Sequence, residues 1–330
     1  MYFKEDARIT DEGYLKTYNI FKVGDIAFEG NKSNDFSHGR FVENTIGDGI
    51  VSHVFVVFKP LHDTHNLRYW KYAINNESVM GRILARCTKK TTMMTNLVTK
   101  DFLNQSIPCP SAQEQDKIAS LLDTISKRIE LQKLYVESLK KYKRGVLFRI
   151  FGNNENASLR YSSWSKRTLA ELCCEFKSGR NISASLIHSS GLFPVYGGNG
   201  IRGYCDQYSH EGEYVVVGRQ GALCGNVRLI QGMNYLSEHA IAVKANEQND
   251  TRFLLYLLDY MRLGQYSDQG AQPGLAVNKL LRLQCDVPDK NTQTHIAAFL
   301  FCIDKQIGSH QKLLDSMLKQ RKALLQQLFI

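Results

Sequence analysis

The sequence PSAQEQDKIASLLDTISKRIELQKLYVESLKKYKRGVLFRIF, residues 110–151, returns 178 positions later as PDKNTQTHIAAFLFCIDKQIGSHQKLLDSMLKQRKALLQQLF, residues 288–329. The two copies align without a gap. Identical residues coincide at several positions, among them Gln115 with Gln293, Ile118 with Ile296, Leu122 with Leu300, Ile125 with Ile303 and Lys127 with Lys305. A globular stretch precedes each copy, so the repeat predicts two equivalent parts on a common frame.

Both copies have the spacing of a long amphipathic helix. Apolar residues recur at alternating steps of three and four, which gives a seam of about five heptads. The seam contains Ile118, Leu122, Ile125, Ile129, Val136 and Leu139 in the first copy and Ile296, Leu300, Ile303, Ile307, Leu314 and Met317 in the second. A lone helix would leave this stripe in water, so we predict that the two repeats pair with each other. A helix of about 36 residues is roughly 54 Å long.

Polar residues interrupt the seam at the same two places in each copy. Gln132 and His310 occupy the first place, and Lys143 and Arg321 occupy the second. Polar seam residues specify register at some cost in stability, so these pairs are candidates for that role. The alternative is that they mark solvated ends of the seam.

The bulk composition is that of a folded protein with room for two domains. The chain has 330 residues, 43% hydrophobic and 22% charged. It contains no apolar run of 18 residues, and MYFKEDARITDEG at its start lacks the apolar segment of a signal peptide. Eight cysteines without a CxxC pair indicate reduced thiols and neither a disulfide framework nor a zinc site. We therefore expect a cytoplasmic protein without a membrane partner.

The net charge of +10 is concentrated on the repeats. Residues 110–152 carry nine basic and five acidic side chains, and residues 287–330 carry six and three. Residues 153–286 have nine arginines and four lysines, a preference that suits bidentate contacts to bases and phosphates. Charge alone is weak support for DNA binding.

The two globular parts are both expected to be β-rich with a few helices. Strand-like runs in the second part are LFPVY, YVVVG, NVRLI and AIAVK, separated by glycine turns, and residues 251–263 predict a helix. The first part contains GDIAFEG, GIVSHVFVVFKP and the helical stretch NLRYWKYAINN. A polar linker, residues 153–166, lies between the repeats. The predicted fold class is therefore α+β, with two mixed β-rich domains that are each followed by a long helix.

The sequence contains no convincing match to a known catalytic motif. Residues 198–203 fit GxGxxG, but the next long apolar stretch is a strand, whereas a dinucleotide site needs these glycines to open a helix. The sequence has neither a GxxxxGK[ST] loop nor an HExxH motif, and Asp25, Glu29 and Lys32 are too loosely spaced for a nuclease-like trio. We expect a non-catalytic chain that binds no metal or cofactor.

The residues that favour nucleic-acid binding are polar side chains in short loops bounded by glycines. Arginine, asparagine and glutamine there suit contacts to guanine and adenine edges, and lysine suits phosphate. The candidate DNA-binding residues are Asn31, Lys32, Asn34 and Arg40 in the first part, and Lys177, Arg180, Asn181, Asn199, Arg202, Arg219 and Gln220 in the second. For any one of them, an ordinary exposed turn residue is the alternative.

The repeated helix resembles the conserved helical region of the specificity subunit of type I restriction–modification systems. FPVYGGNGIRGY, YVVVGRQGALCGNV and GAQPGLAVNKLLRLQCDVP resemble that family's target-recognition domains, and TTMMTNLVTKDFLNQSIPCPS is similar to the end of another such domain. The resemblance covers essentially the whole chain. It implies target-recognition domains at residues 1–109 and 153–286, and conserved helices at 110–152 and 287–330 that form an antiparallel coiled coil.

The resemblance also implies partners. In the family, each target-recognition domain reads one half of a split target in double-stranded DNA, and the helix pair fixes the gap. Two methyltransferase subunits dock on the chain and methylate adenine N6 with S-adenosylmethionine, and restriction subunits join them. S-adenosylmethionine, ATP and Mg are then expected on the partners. The runner-up hypothesis is a stand-alone DNA-binding or coiled-coil interaction protein without methyltransferase partners.

The two target-recognition domains differ in length before their shared motif. DIAFEGNK in the first corresponds to YVVVGRQG in the second, yet WSKRTLAELCCEFKSGRNIS has no counterpart ahead of Met1. We therefore expect the first domain to lack roughly its first 35–40 residues, by comparison of the two halves. The second repeat also replaces Glu114 by Thr292, which changes the contacts of its first turn.

Overall fold

The computed structural model describes residue 13 and residues 16–34, 36–61, 66–90, 94–152, 164–268 and 273–329. Its contacts divide the chain into a first unit, residues 1–134 with 310–330, and a second unit, residues 135–309. Most of the predicted linker, residues 153–163, and the chain start lie outside the described residues. None of the helices in the described ranges is long and apolar enough to span a membrane.

The first unit combines short antiparallel sheets with short helices. Its strands are β1 (Asn19–Phe21), β2 (Ile26–Glu29), β3 (Arg40–Glu43), β4 (Gly49–Val51), β5 (Val56–Phe58), β6 (Thr88–Lys90) and β7 (Thr95–Leu97). Its short helices are α1 (Leu67–Ala73), α2 (Glu77–Cys87) and α3 (Thr99–Leu103), and the long helix α4 (Ala112–Phe151) follows. Strand β2 lies between β3 and β5, while β1 pairs with β4 and β6 with β7.

Aromatic side chains form much of the core of the first unit. Phe41 on β3 is fully buried and stacks on Phe102 of α3, with 4.7 Å between the ring centroids. Phe28 and Phe58 meet Phe41 edge-on. Alternation along β2 and β3 directs these rings to one side of the sheet, and their burial contributes about 2 kcal/mol or more each.

The second unit is larger and has two four-stranded sheets. Its strands are β8 (Ser165–Thr168), β9 (Cys173–Ser178), β10 (Phe193–Gly197), β11 (Gly200–Cys205), β12 (His210–Glu211), β13 (Tyr214–Gly218), β14 (Val227–Ile230), β15 (Met233–Leu236), β16 (Ala240–Ala245) and β17 (Gln284–Val287). Its helices are α5 (Leu169–Leu172), α6 (Thr251–Met261), α7 (Val277–Leu281) and the long α8 (Lys290–Leu328). The sheet orders are β11-β10-β15-β12 and β14-β13-β16-β9, and β17 pairs with β8.

The core of the second unit forms where α6 covers the sheet of β13 and β16. Every residue of β13 is buried, as the unbroken apolar run YVVVG predicts for a strand covered on both faces. Asp250 caps the N-terminus of helix α6, since its carboxylate accepts the backbone N–H of Phe253 at 2.9 Å. Phe253, Leu254 and Leu258 of this helix are fully buried against the sheet. The predicted helix at 251–263 is thus confirmed, with its end at Met261.

The two units repeat one strand order. In the first unit β1 pairs with β4, and β2 pairs with β3 and β5. In the second unit β12 pairs with β15, and β13 pairs with β14 and β16. After β2 and after β13, an antiparallel bridge then forms from Asn31 to Met94 and from Gln220 to Gly274. These bridges support the predicted correspondence of DIAFEGNK with YVVVGRQG and match Asn31 with Gln220.

The long helices α4 and α8 have 40 and 39 residues, or roughly 60 Å at 1.5 Å per residue. Both exceed the predicted 36. The first turn of α4 is closed by Ser111 and Glu114, whose side chain and backbone groups bond reciprocally. In α8 the aspartate Asp289 replaces this arrangement by accepting from the backbone N–H and hydroxyl of Thr292. The loss of the glutamate therefore changes the cap and leaves the helix intact.

The repeated glutamines make the same contact in both copies. Gln115 Nε2 donates to the carbonyl of Pro110, and Gln293 Nε2 donates to the carbonyl of Pro288, each at 2.9 Å. Both side chains are buried. Each therefore ties the residue before its long helix to the first helical turns, which accounts for an identical polar residue at a buried position.

The two long helices pair in antiparallel fashion within each unit. In the first unit, Ile118 and Leu122 pack in one cluster with Leu325 and Leu328. In the second, Leu147 and Ile150 pack with Ala297, Leu300 and Ile303. All twelve predicted seam residues are buried or half-buried. The α+β fold, with two β-rich domains and two long helices paired as an antiparallel coiled coil, is confirmed.

Candidate nucleic-acid interface

In the first unit, the candidate residues surround the loop between β2 and β3. Arg40 Nε lies 2.7 Å from Glu29 Oε2, and its guanidinium lies 5.7 Å from the ring centroid of Phe36. Asn31 Nδ2 donates to Glu29 Oε1 at 3.3 Å. Lys32 and Asn34 are exposed in the same loop. Glu29 thus holds two candidate DNA-binding side chains at the end of one strand.

A buried threonine fixes this loop. Thr95 Oγ1 lies 3.0 Å from the carbonyl oxygens of Gly30 and His38, and its N–H donates to Gly30. Thr95 is 2% exposed. The loop that carries Asn31 and Lys32 is therefore tied down at both ends, which lowers the entropy cost of ordering it on a ligand.

In the second unit, four loops converge on one place. They are residues 179–181, 198–199, 219–221 and 237–239, here called the loop cluster. Backbone hydrogen bonds join them: Arg180 N–H donates to Leu236 O at 2.8 Å, and Arg219 N–H donates to His239 O at 2.9 Å. The structure thereby brings Arg180, Asn199, Arg219 and Gln220 together, although they lie up to 40 residues apart in sequence.

Two glycines allow this close approach. A Cβ at Gly198 would lie 2.6 Å from the carbonyl oxygen of Gln220, and a Cβ at Gly179 would lie 2.3 Å from that of Leu236. Gly198 belongs to the GxGxxG match, whose residues form the hairpin of β10 and β11. The glycines of this motif therefore serve loop packing, since they open a strand and not the helix that a dinucleotide site requires.

The polar side chains of the loop cluster hold one another. Arg219 Nη1 donates to the carbonyl of Glu238 at 3.3 Å. His239 Nδ1 lies 2.6 Å from Gln220 Oε1, and His239 Nε2 lies 3.0 Å from Glu238 Oε1. Sequence reasoning missed Glu238 and His239, because a three-residue polar turn between two strands carries no signal of its own.

The remaining candidates of the second unit stand on neighbouring elements. Arg202 lies on β11, and its side chain packs against Gly197, where a Cβ would be 2.5 Å from it. Asn181 is exposed, and its carbonyl accepts from Tyr235 Oη at 2.9 Å. Lys177 lies on β9, with its Nζ 3.2 Å from Glu175 Oε1.

The ion pair of Lys177 belongs to a partly buried network. Glu175 also accepts from Tyr214 Oη at 3.0 Å and from His210 Nε2 at 3.2 Å. Burial raises the pKa of the Glu175 carboxyl, but the bonds from Lys177 and Tyr214 and the nearby His210 outweigh it, so this pKa lies below its usual range. Burial lowers the pKa of His210, although Glu175 opposes the shift. Lys177 is thus engaged before any DNA contact.

The paired helices present a groove in the second unit. Its volume is about 840 Å³, and its walls are mainly apolar and include the basic residues Lys141 and Arg149. Tyr142 and Phe299 are about half exposed there, at 56% and 48%. The lining residues are Ser138, Lys141, Tyr142, Gly145, Val146, Arg149, Ile150, Trp164, Thr292, His295, Ile296 and Phe299.

Within the part of the chain that the structure describes, His, Cys, Asp and Glu side chains form no group of three or more that could hold a metal ion. Asp25, which a nuclease-like trio would require, is buried and accepts the N–H of Lys22, and Glu29 is paired with Arg40.

The sequence of the chain matches a known family over most of its length. Residues 5–141 and 161–318 match the family model of the type I restriction modification DNA specificity domain. The chain belongs to this family. One family member, the specificity subunit of the type I restriction enzyme EcoprrI of Escherichia coli, is 42% identical over 148 residues, which are 44% of this chain and 37% of that protein. A putative type I specificity subunit of Mycoplasma pneumoniae is 25% identical over 226 residues, 64% of this chain and 80% of that protein.

Solved structures of the family share the fold. The type I restriction–modification S subunit of M. genitalium superposes with a TM-score of 0.66 at 21% identity, over 96% of this chain and 85% of that one. A second structure comes from work on complex assembly and conformational transition of the type I R-M system. It superposes with a TM-score of 0.63 at 15% identity, over 94% of this chain and 82% of that one. The match covers less than half the length of the E. coli relative.

Proposed function

We propose that this chain is the DNA sequence-specificity subunit of a type I restriction–modification complex and reads a bipartite target. The observation that carries the proposal is one strand arrangement, with an amide side chain at the matching loop position, that occurs in both units. Asn31 and Gln220 follow equivalent strands in loops fixed by backbone hydrogen bonds. Asn31 and Arg40 both contact Glu29, and Gln220 is next to Arg219 in sequence. Amides suit adenine edges, and arginines suit guanine edges and phosphates.

The division of labour follows the domains. Residues 1–109 would read one half of the target with Asn31, Lys32, Asn34 and Arg40. Residues 153–286 would read the other half with the loop cluster, Arg202 and Lys177. The paired helices, residues 110–152 and 287–330, would set the gap between the halves.

The chain would dock two methyltransferase subunits and the restriction subunits of the complex. Support comes from the apolar groove in the second unit and from exposed apolar residues such as Leu131 and Leu134 on α4 of the first unit. Large exposed apolar groups on an ordered helix pair are typical of interaction surfaces. One solved structure with the same fold concerns the complex assembly of the type I R-M system.

The chemistry would belong to the partners. S-adenosylmethionine would bind the methyltransferase subunits, which would methylate adenine N6, and ATP and Mg would serve the restriction subunits. The specificity chain would contribute target choice and geometry and would be non-catalytic.

Methylation profiling tests the proposal. The chain is co-expressed with a candidate adenine methyltransferase subunit of a type I system, and methylated adenines are mapped across the host genome. We expect one split motif, which disappears when the chain is omitted. Purification of the chain as a lone dimer, with no methyltransferase and no motif, would instead favour the stand-alone interaction protein.

A further inference from the structure

Two arginines of the second unit lie against the tip of the hairpin that β10 and β11 form. The guanidinium of Arg228, on the edge strand β14, lies over Gly200, where a Cβ would be 2.6 Å from Arg228 Nη1. The stem of Arg202 lies over Gly197, where a Cβ would be 2.5 Å from Arg202 Cδ. Glycine at both positions therefore leaves the space that these two side chains fill.

The two arginines are on the same face of the hairpin. Gly197 and Gly200 are directly opposed in the pairing of β10 with β11. The Cβ directions of opposed residues point to one face of a sheet, and their Cα atoms lie roughly 5 Å apart. Both arginines are exposed. An anion bound over this face of the tip would therefore be within reach of Arg202 and Arg228 together.

The charges of this pair are not neutralised by the protein. Among the residues that the structure describes, neither guanidinium has a hydrogen bond or an ion pair. By contrast, Arg252 pairs with Glu213 at 2.8 Å in the same unit. Two like charges at one hairpin tip repel each other, and an anion between them would remove this repulsion. Phosphate fits best, because the planar fork of N–H donors in arginine matches its oxygens.

The hairpin tip also contacts the base-reading candidates. A Cβ at Gly198 would lie 2.6 Å from the carbonyl oxygen of Gln220, and a Cβ at Gly218 would lie 2.3 Å from the carbonyl oxygen of Gly198. The tip thus rests on the end of β13, from which Arg219 and Gln220 follow. The arginine pair therefore stands beside the loop cluster.

We propose that Arg228 and Arg202 form a phosphate-binding pair that holds the DNA backbone next to the loop cluster. This inference rests on the proposed function and adds Arg228 to the residues that contact DNA. The pair would fix the position of the second unit on the duplex, while the loops contact base edges. Sequence reasoning passed over Arg228 because it lies in the strand NVRLI and not in a loop.

The pair belongs to the second unit. Arg228 is paired with Val216 of β13, and Val42 is paired with Ala27 of β2. Since Asn31 corresponds to Gln220, Ala27 corresponds to Val216, and Val42 stands where Arg228 stands. An apolar side chain cannot bind phosphate, so the contact is expected at the half-site of the second unit.

The salt dependence of DNA binding tests the pair. The purified full chain first selects its preferred duplex from a randomised pool, and binding to this duplex and to an unrelated one is measured from about 50 to 200 mM salt. For the double variant Arg202→Gln with Arg228→Gln, we expect binding to both duplexes to weaken by about 10-fold. The slope of log K against log salt should be smaller by about 0.9, the value for one phosphate, with base choice unchanged.

Two matched variants separate a phosphate contact from a structural role. Arg202→Lys with Arg228→Lys keeps both charges but removes the planar groups that pack on the glycines, so the wild-type slope should be retained. Arg167→Gln with Arg282→Gln removes two exposed charges elsewhere in the same unit and should also leave the slope unchanged. Thermal unfolding of each variant shows that it is folded.

The outcomes distinguish failure of the pair from failure of the proposed function. If the wild type prefers one duplex but the glutamine variant keeps its slope, the phosphate pair is overturned and the proposed function stands. Loss of base choice at one position would indicate a base contact and would overturn the pair equally. If the wild type prefers no sequence, the proposed function fails, whereas a slope reduced by about 0.9 would still support the pair. Absence of DNA binding would overturn both.

Discussion

Gln132 and His310 occupy the same position in the two repeats, and they hydrogen-bond to each other. Gln132 Nε2 lies 3.1 Å from His310 Nδ1 and donates to the His310 carbonyl at 2.9 Å. In an antiparallel pair of repeats, a residue faces its own counterpart only at the centre of the pairing. This contact therefore marks one register of the two helices, as the polar seam position predicted.

Replacing both polar residues of this pair by apolar ones should keep or raise the stability of the protein and lower the specificity of helix pairing. We expect Gln132→Ala alone to lower the free energy of unfolding by about 1 kcal/mol, because it removes hydrogen bonds inside a half-buried seam. Replacing both residues by leucine should be neutral or stabilising, because apolar residues fit a heptad seam, but should allow self-association.

Thermal unfolding and light scattering measure these two effects. Lys133→Ala, on the exposed side of the same turn, is the matched control and should change neither. A double-leucine variant that is monodisperse and less stable than Gln132→Ala would contradict the role in register.

Lys143 fills the second polar seam position and contacts acidic residues of the second unit. Its Nζ lies 2.7 Å from Asp304 Oδ1 and 4.0 Å from Asp259 Oδ2, and Tyr256 Oη donates to Asp304 Oδ2 at 2.9 Å. The Lys143 side chain is 18% exposed. Its repeat counterpart Arg321 is half-buried, and its Nε has no hydrogen-bond partner among the residues described. The matching sequence positions thus have different contacts.

We expect Lys143→Met to destabilise the second unit by about 1 to 3 kcal/mol, because Asp304 loses its partly buried counter-ion. Adding Asp304→Asn should recover part of this loss, since no unpaired charge then remains. A double-mutant cycle in chemical denaturation gives the coupling energy. Strict additivity of the two single effects would show that the ion pair contributes nothing.

Glu43 makes the stability of the first unit depend on pH. It is 6% exposed on β3, and burial raises its pKa to about 8, although the nearby Lys71 opposes the shift. A carboxyl whose pKa is higher in the folded state than the 4.5 of the unfolded state favours folding below pH 4.5. That contribution is lost as pH rises through about 8.

Glu43→Gln should therefore stabilise the first unit by about 2 to 4 kcal/mol at pH 8.5 and change little at pH 4, at about 1.4 kcal/mol per pKa unit. Hydrogen exchange of the β2 and β3 amides, followed across this range, measures the effect on this unit alone. Glu137→Gln, exposed on α4, is the control. An equal change in the stability of the first unit at both pH values would show that Glu43 is ionised at both.

The sequence predicted the elements whose pattern is local. The seam of the long helices and the run YVVVG carry strong periodic or apolar signals, and the structure has them where they were expected. Helix α2 was missed because Gly81 and several polar residues interrupt its short apolar face. The parallel pairing of β10 with β15 was also missed, since it joins residues 40 positions apart and leaves no trace in either strand.

The site was predictable only as a set of loops. Arg180, Arg219 and Gln220 were singled out by residue type, and the structure brings them into one cluster. Glu238 and His239 contact Arg219 and Gln220, which lie 19 residues earlier in the sequence. Neither residue spacing nor composition predicts such contacts. Which of the candidate residues contact DNA stays a prediction.

We propose that the helix pair sets the distance between two DNA-reading sites. Seven residues inserted after Lys133 in α4 and seven after Ser309 in α8 keep the heptad seam and lengthen the pair by about 10.5 Å. At about 3.4 Å per base pair, this corresponds to about 3 base pairs. Methylation profiling of the variant complex should return the same two half-sites with a gap that is longer by that amount. Unchanged half-sites with an unchanged gap would show that the helix pair does not set the distance between the two half-sites.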